Sequence, residues 1–496
     1  MGGAVAKLWE RLEHGRVRRF YHGSDEMYAG VRPHPDVPPG TDMIPQLKHI
    51  VVLMMENHSF DNYLGLLGRG DGLRLDPATG QPTATNSRVD GTEIASFRPA
   101  TTTQLHGAPT QSWHATNLQW NEGSNDGFVR SVEQTVANAV DEQVRAPMSY
   151  WTEQDLPFYA GLARTFPLAD RWFCSCLGPT FPNRRFLIAG TAHGLIDDLP
   201  FGMVDVPPAG TIFDLLTRND ISWANYHDVS RAATLSRRVL GRGGLVAFRR
   251  LGLLFGKLLP GLLHNAIGNL QFTADLYPLG LASAWGHLRP LEDFFAAADA
   301  GTLPSVSIVD PNFGKFSEEN PEDIHLGEGY AAEVINRVMH GKGWADTVLI
   351  WLYDEHGGYY DHVPPPDAVP PDDIDGRSLL QLPGWARTLL SPLLKKHLVA
   401  LEAIDACTDR RYDRYGFRVP AVIVSPYAKP DQVVSTVYDH TSVLKLIEQK
   451  WNLPPLTSRD AAANSPLDAL DLNTAHFAEP PVLPAPAVAW TPGGQA

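Results

Sequence analysis

The chain has 496 residues, of which 43% are hydrophobic and 20% charged, enough apolar material for a large core. A formal net charge of −15 argues against nucleic acid as a partner, because phosphate backbones demand clustered Lys and Arg. Its three cysteines, Cys174, Cys176 and Cys407, cannot build a disulfide framework and fit a reducing compartment at least as well as an oxidising one.

Residues 1–47 form a lead segment, whose first stretch, MGGAVAKLWERLEHGRVRRF, reads as a short amphipathic helix of mixed charge and lacks the apolar run of a signal peptide. The first strand is expected at IVVLMM (50–55), which runs directly into Glu56, Asn57, His58, Ser59 and Asp61. A polar, turn-rich insertion follows at 66–110. FCSCLGPTFPNRRF (173–186) places Thr180 in a Gly-Pro turn ahead of Pro-Asn-Arg. A second insertion, 228–290, is rich in Arg and Leu. Its most apolar stretch, LGLLFGKLLPGLL, is too short to span a bilayer and contains Lys257 and Pro260. SVSIVD (305–310) and TVLIWLY (347–353) are the next strands, with a helical pattern over 327–340 between them. DEHGGYYDH (354–362) and a third insertion, 364–418, precede the strand VPAVIVSPY (419–427), a helix over 440–451 and a Pro-rich tail, 453–496.

Continuous apolar runs of strand length, as opposed to alternating ones, are buried on both faces, and helical patterns lie between them. The expected fold is therefore α/β, with a mainly parallel central sheet flanked by helices over 48–452 and the insertions acting as lids or caps.

In such sheets ligands bind beyond the carboxyl ends of the strands. Two runs end in acidic clusters there, Glu56-Asn57 and Asp354-Glu355. Carboxylate pairs brought to one sheet edge repel unless a cation lies between them, and oxygen donors select a hard divalent ion. For ENHSFDN alone the plain alternative is a helix start capped by Ser59, Asp61 and Asn62. Thr180 offers a hydroxyl that needs activation to attack, and Arg184 offers an oxyanion clamp.

Taken together, VVLMMENHSFDNYLG, GPTFPNR, DEHGGYYDHVPPP and VSPYAKPDQVVSTVYDHTSVLKLIEQKW resemble the phosphoesterase family of bacterial phospholipases C, plant non-specific phospholipases C and related acid phosphatases, within the alkaline phosphatase superfamily. The resemblance implies an alkaline-phosphatase-like fold and a divalent metal, with calcium, magnesium or manganese favoured. It implies metal ligation by Glu56, Asn57, Thr180, Asp354 and Glu355, with Thr180 as a nucleophile that becomes transiently phosphorylated. His356, Asp361 and His362 would form an inner polar shell, with His356 and His362 the candidates for protonating the leaving group, and Tyr438, Asp439 and His440 would support the site. The sequence departs from the family at Gln111 and Asn320, where many members carry histidine. Asn320 and the nearby His114 and His325 are the expected substrate contacts in their place. Sulfatases of the same superfamily use a modified Cys, but CSCLGPT lacks their signature, and Cys174 and Cys176 are expected in the core.

The expected reaction is hydrolysis of phosphoric esters, as a phospholipase C acting on phospholipids. An acid phosphatase or phosphodiesterase on soluble esters and a non-catalytic phosphate-binding protein are the alternatives. Arg237, Arg238, Arg242, Arg249, Arg250 and Lys257, interleaved with apolar residues, suit peripheral contact with an anionic membrane. With neither a signal peptide nor a spanning segment recognised, the expected location is the cytoplasm, or outside the cell by an unrecognised route.

Overall fold

The computed structural model describes residue 28 and residues 30–198, 207–227, 286–376 and 411–491. The amino-terminal helix expectation, most of the 228–290 insertion with its basic residues, residues 377–410 of the third insertion and Cys407 lie outside them.

An eight-stranded sheet organises the chain. Its strands are β1 (His49–Met55), β4 (Leu168–Ala169), β5 (Trp223–His227), β6 (Leu288–Pro290), β7 (Val306–Asp310), β8 (Thr347–Tyr353), β9 (Ala421–Val424) and β10 (Val433–Val434), in the order β10-β4-β9-β8-β1-β7-β5-β6. Two further strands, β2 (Thr85–Ser87) and β3 (Glu93–Ala95), make a separate antiparallel pair within the first insertion. From β8 through β1, β7 and β5 to β6 every neighbour is parallel. The run at 419–427 behaves differently, since β9 lies antiparallel to both β8 and β4.

Burial explains the apolar runs. Every residue of β8 is buried, as are the last six of β1. The expected helices form as Ile324–His340 and Thr441–Trp451, the first beginning earlier than its apolar pattern because Asp323 caps it, accepting from the His325 N–H. Cys174 and Cys176 are buried core residues. The tail is irregular but anchored. Trp490 packs edge-on against Tyr330 and Phe316, and the Ala487 N–H donates to the buried Glu328 carboxylate. Among the described residues no helix is long and apolar enough to cross a membrane.

The consequence for function lies in the strand order. β8, β1 and β7 are adjacent and parallel, so their carboxyl ends deliver Asp354-Glu355, Glu56-Asn57 and Asp310 to one edge.

Candidate active site

The two acidic motifs are locked together by backbone contacts. The Asp354 N–H donates to the Met55 carbonyl at 3.1 Å, and the Asn57 N–H donates to Asp354 Oδ1 at 3.0 Å. Asn57 adopts a left-handed backbone, φ 65°, which turns the chain out of β1. Gly357 makes the approach feasible, because a Cβ there would lie 1.9 Å from the Asn57 carbonyl oxygen. After that turn Ser59 caps α1 (Phe60–Leu64), so the ENHSFDN segment is both a helix start and part of the site.

Thr180 opens α2 (Thr180–Ala189) at this edge. Asn183 fixes the preceding turn, donating to the carbonyls of Gly178 and Pro179 and accepting the Cys176 N–H. The Thr180 hydroxyl then stands 3.3 Å from Glu56 Oε2 and 3.5 Å from Asn57 Oδ1. The structure thus gathers Glu56, Asn57, Thr180, Asp354 and Glu355 at one edge.

Arg184, the expected oxyanion clamp, lies one turn into α2 among the strand-end carboxylates. Its guanidinium lies 2.6 Å from Glu56 Oε1, 3.1 Å from Asp310 Oδ1 and 3.4 Å from Asp354 Oδ2, and also donates to the carbonyls of Met54 and Met55. A single guanidinium among four carboxylates leaves negative charge in excess. Burial, and then the charge of Asp354, pushes the carboxyls of both Glu56 and Glu355 well above the usual range, with Arg184 opposing the rise at Glu56. Glu355 Oε1 is buried without a hydrogen-bond partner. The excess charge, the unpartnered oxygen and an all-oxygen donor set of carboxylates, amide and hydroxyl fit a hard divalent cation.

The histidines are placed less as expected. His356 is buried, donates through Nε2 to Gln119 Oε1 at 2.7 Å, and rests 4.6 Å from the Phe417 ring centre; burial lowers it to about 3. Its other ring nitrogen, Nδ1, lies 3.2 Å from Glu355 Oε2, so the imidazole stands between a strand-end carboxylate and Gln119. His362 is held by Asp61 at 2.7 Å and Asp71 at 3.2 Å. His325 Nδ1 lies 3.4 Å from the Thr102 hydroxyl, and Asn320 donates to the carbonyls of Leu105 and Ala108. His114 is half-buried on the helix Trp113–Trp120. None of these three has a hydrogen bond to the strand-end carboxylates. His440 supports the site from beneath, its Nε2 donating to the Asp354 carbonyl at 2.6 Å.

Asp61, Asp361 and His362 bring ligand atoms within 4.8 Å of one another, a spacing that by itself suits a metal. The fully buried Arg418 already occupies that hub, 2.9 Å from Asp361 and 3.1 Å from Asp61. The cluster is an ion-pair centre.

Several residues of the site were not singled out in the sequence. Asp310 ends a third buried strand, and that position was the signal available for it. Glu319 influences the charge of Glu56 and Glu355 from the loop that follows β7. That loop is pinned by Glu318, whose backbone is left-handed at φ 75° and whose buried carboxylate accepts hydrogen bonds from Tyr63, Tyr159 and Tyr353 at 2.8, 2.7 and 2.5 Å. Its neighbour Ser317 accepts the Glu56 N–H. Burial holds the Glu318 carboxyl at about 8, against an ordinary 4.5, with the tyrosine hydroxyls opposing the rise. A raised carboxyl binds its proton more tightly in the fold, so its stabilising contribution is complete below pH 4.5 and lost as pH rises to about 8. The slope is at most about 1.4 kcal/mol per pH unit. Urea unfolding at several pH values in that window should show a shallower decline for Glu318→Gln than for the wild type. Equal slopes would mean that Glu318 is already ionised in the fold.

Comparison with known proteins decides the family. The phosphoesterase family profile matches residues 47–454. The chain belongs to the phosphoesterase family. Phospholipase C A of Mycobacterium tuberculosis is 30% identical over 423 residues, covering 82% of this chain and 73% of that protein. Non-specific phospholipase C6 of Arabidopsis thaliana is 27% identical over 443 residues, covering 84% and 71%. Non-hemolytic phospholipase C of Pseudomonas aeruginosa is 29% identical over 429 residues, covering 82% and 54%. As a phosphoesterase, the protein is a phosphoric ester hydrolase.

Proposed function

We propose that this phosphoesterase cleaves phospholipids as a phospholipase C, releasing diacylglycerol and a phosphorylated head group through a phosphothreonine at Thr180. The observation that carries the reading is the Thr180 hydroxyl, standing at the start of a helix and facing Glu56 and Asn57 at the end of β1. In the first displacement Thr180 Oγ forms a bond to phosphorus as the phosphorus–oxygen bond to diacylglycerol breaks; the threonine proton passes to solvent and the leaving oxygen, with the bonding pair, takes one from solvent. In the second, water attacks the phosphothreonine in line, the bond from phosphorus to Thr180 Oγ breaks, the phosphorylated head group is released, and the proton that water gives up offsets the one that restores the threonine hydroxyl.

Glu56, Asn57, Thr180, Asp354 and Glu355 are the residues that would hold the metal, for which calcium, magnesium or manganese is the choice the oxygen donors favour. A divalent cation bound there supplies Lewis-acid activation of a hydroxyl and neutralisation of phosphoryl charge. The protein's own part is to orient the hydroxyl through the Asn183-locked turn and to hold the carboxylates in register through the Asn57–Asp354 contact.

Support for a phospholipid substrate comes from the relatives, which are named as phospholipases C in bacteria and plants, and from the sequence of the 228–290 insertion, whose basic and apolar residues suit an anionic lipid surface. The test is hydrolysis of phospholipid vesicles beside a soluble monoester such as p-nitrophenyl phosphate, with and without a chelator. The expected result is chelator-sensitive release of diacylglycerol, with the monoester turned over more slowly. Efficient turnover of the monoester with intact lipid left untouched would make the protein an acid phosphatase. Full activity after the chelator has stripped all metal would remove the cation from the reaction.

A further inference from the structure

The amino-terminal end of α2 is unusual in what it offers and in what occupies it. Pro179 is the capping residue and has no side-chain acceptor, while Pro182 in the first turn has no N–H to give. Of the N–H groups nearest the nucleophile, that of Phe181 donates to Asp198 Oδ1 at 2.8 Å, from 17 residues downstream. Arg184, the other positive group beside Thr180, is held by Glu56, Asp310 and Asp354. The groups best suited to a bound phosphoryl oxygen therefore hold the protein's own carboxylates.

Helix amino-termini attract anions because their N–H groups and dipole point at the ligand. A phosphoryl group on Thr180 Oγ brings its non-bridging oxygens to this same helix end. We infer that Asp198 is an internal occupant of the phosphoryl seat, its carboxylate resting on the Phe181 N–H in the free protein and being displaced when a phosphate ester binds. The inference rests on the reading of Thr180 as the nucleophile.

One further feature agrees with a group that leaves readily: Asp198 is an exposed residue, and the charges of Asp197, Glu319 and Asp354 nearby oppose its carboxylate while the Phe181 N–H holds it.

The experiment is titration calorimetry of the metal-loaded full chain with inorganic phosphate and with orthovanadate, comparing the wild type with Asp198→Ala and Asp198→Asn. Vacating the seat should lower the Kd of Asp198→Ala about 5- to 10-fold, which at about 1.4 kcal/mol per tenfold is close to the worth of one contested hydrogen bond. Asp198→Asn keeps an acceptor for Phe181 but loses the charge, so it should fall between the two. KM for a soluble ester should drop with Kd, more than kcat changes. An unchanged or weaker Kd in a folded Asp198→Ala protein overturns the inference, and if that variant does not fold, the same result in Asp198→Asn does so. A loss of bound metal in either folded variant overturns it as well, since Asp198 would then be a ligand. Retained turnover in Thr180→Ala would instead remove the nucleophile on which the inference stands, so the two failures are told apart.

Discussion

Thr180→Ala is expected to lower turnover of any phosphoric ester by about 10⁴-fold or more, the scale on which removing a nucleophile acts, while leaving the fold intact. Although Thr180 is buried, α2 is fixed by Asn183, Arg184 and the rest of its buried face independently of the hydroxyl. Circular dichroism and thermal unfolding should therefore match the wild type. Thr180→Ser keeps the attacking oxygen but loses the methyl group that restricts its rotamer, and misplacement on this scale costs about 10- to 100-fold. Acid quenching during turnover, followed by mass spectrometry, should find phosphate on residue 180 in the wild type and the serine variant, and none in the alanine variant. Near-normal activity in Thr180→Ala would remove it from the reaction, and phosphate trapped on another residue would name the replacement.

Much of the frame was legible because its signals are local. IVVLMM and TVLIWLY are unbroken apolar runs, and they form the two central parallel strands, buried along nearly their whole length. Glu56, Asn57, Asp354 and Glu355 were legible as strand-end groups, since the end of a buried strand places its next residues at the sheet edge. The direction of β9 was not legible. AVIV reads the same in either sense, and its orientation is set by pairing with β8 and β4, far away in sequence. The histidines show a second limit. His356 adjoins Glu355 in sequence and its Nδ1 lies 3.2 Å from Glu355 Oε2, but its other contacts, Gln119 and Phe417, come from segments remote in sequence and carry no local signal. Asp198 and Glu319 approach the site through loops, the second held by the tyrosines around Glu318 and the left-handed backbone at that residue, and neither loop carries a periodic signal.

Arg418→Met should destabilise the protein by about 3–5 kcal/mol, the cost of stripping one partner from a buried ion pair. The guanidinium is fully buried and makes two charge-assisted contacts, to Asp61 at 3.1 Å and Asp361 at 2.9 Å, while also donating to the carbonyls of Asp71 and Asp170 and lying 4.5 Å over the Phe60 ring. Burial already raises the Asp361 carboxyl to about 6, and Arg418 is the principal group holding it down, so its loss leaves two buried carboxylates facing each other. Arg418→Lys keeps a charge but not the fork that reaches both partners, and should lie between the methionine variant and the wild type in urea unfolding. The effect should extend to the active site, because Asp61 follows Glu56-Asn57 by a few residues and Asp361 follows Asp354-Glu355. Arg418 thus clamps the two motifs whose register sets the oxygen donors. Metal affinity, measured on the folded fraction, should fall in Arg418→Met even though residue 418 is not itself a ligand. A variant within about 1 kcal/mol of the wild type and with unchanged metal affinity would show that the backbone contacts between Asn57 and Asp354 hold the register alone.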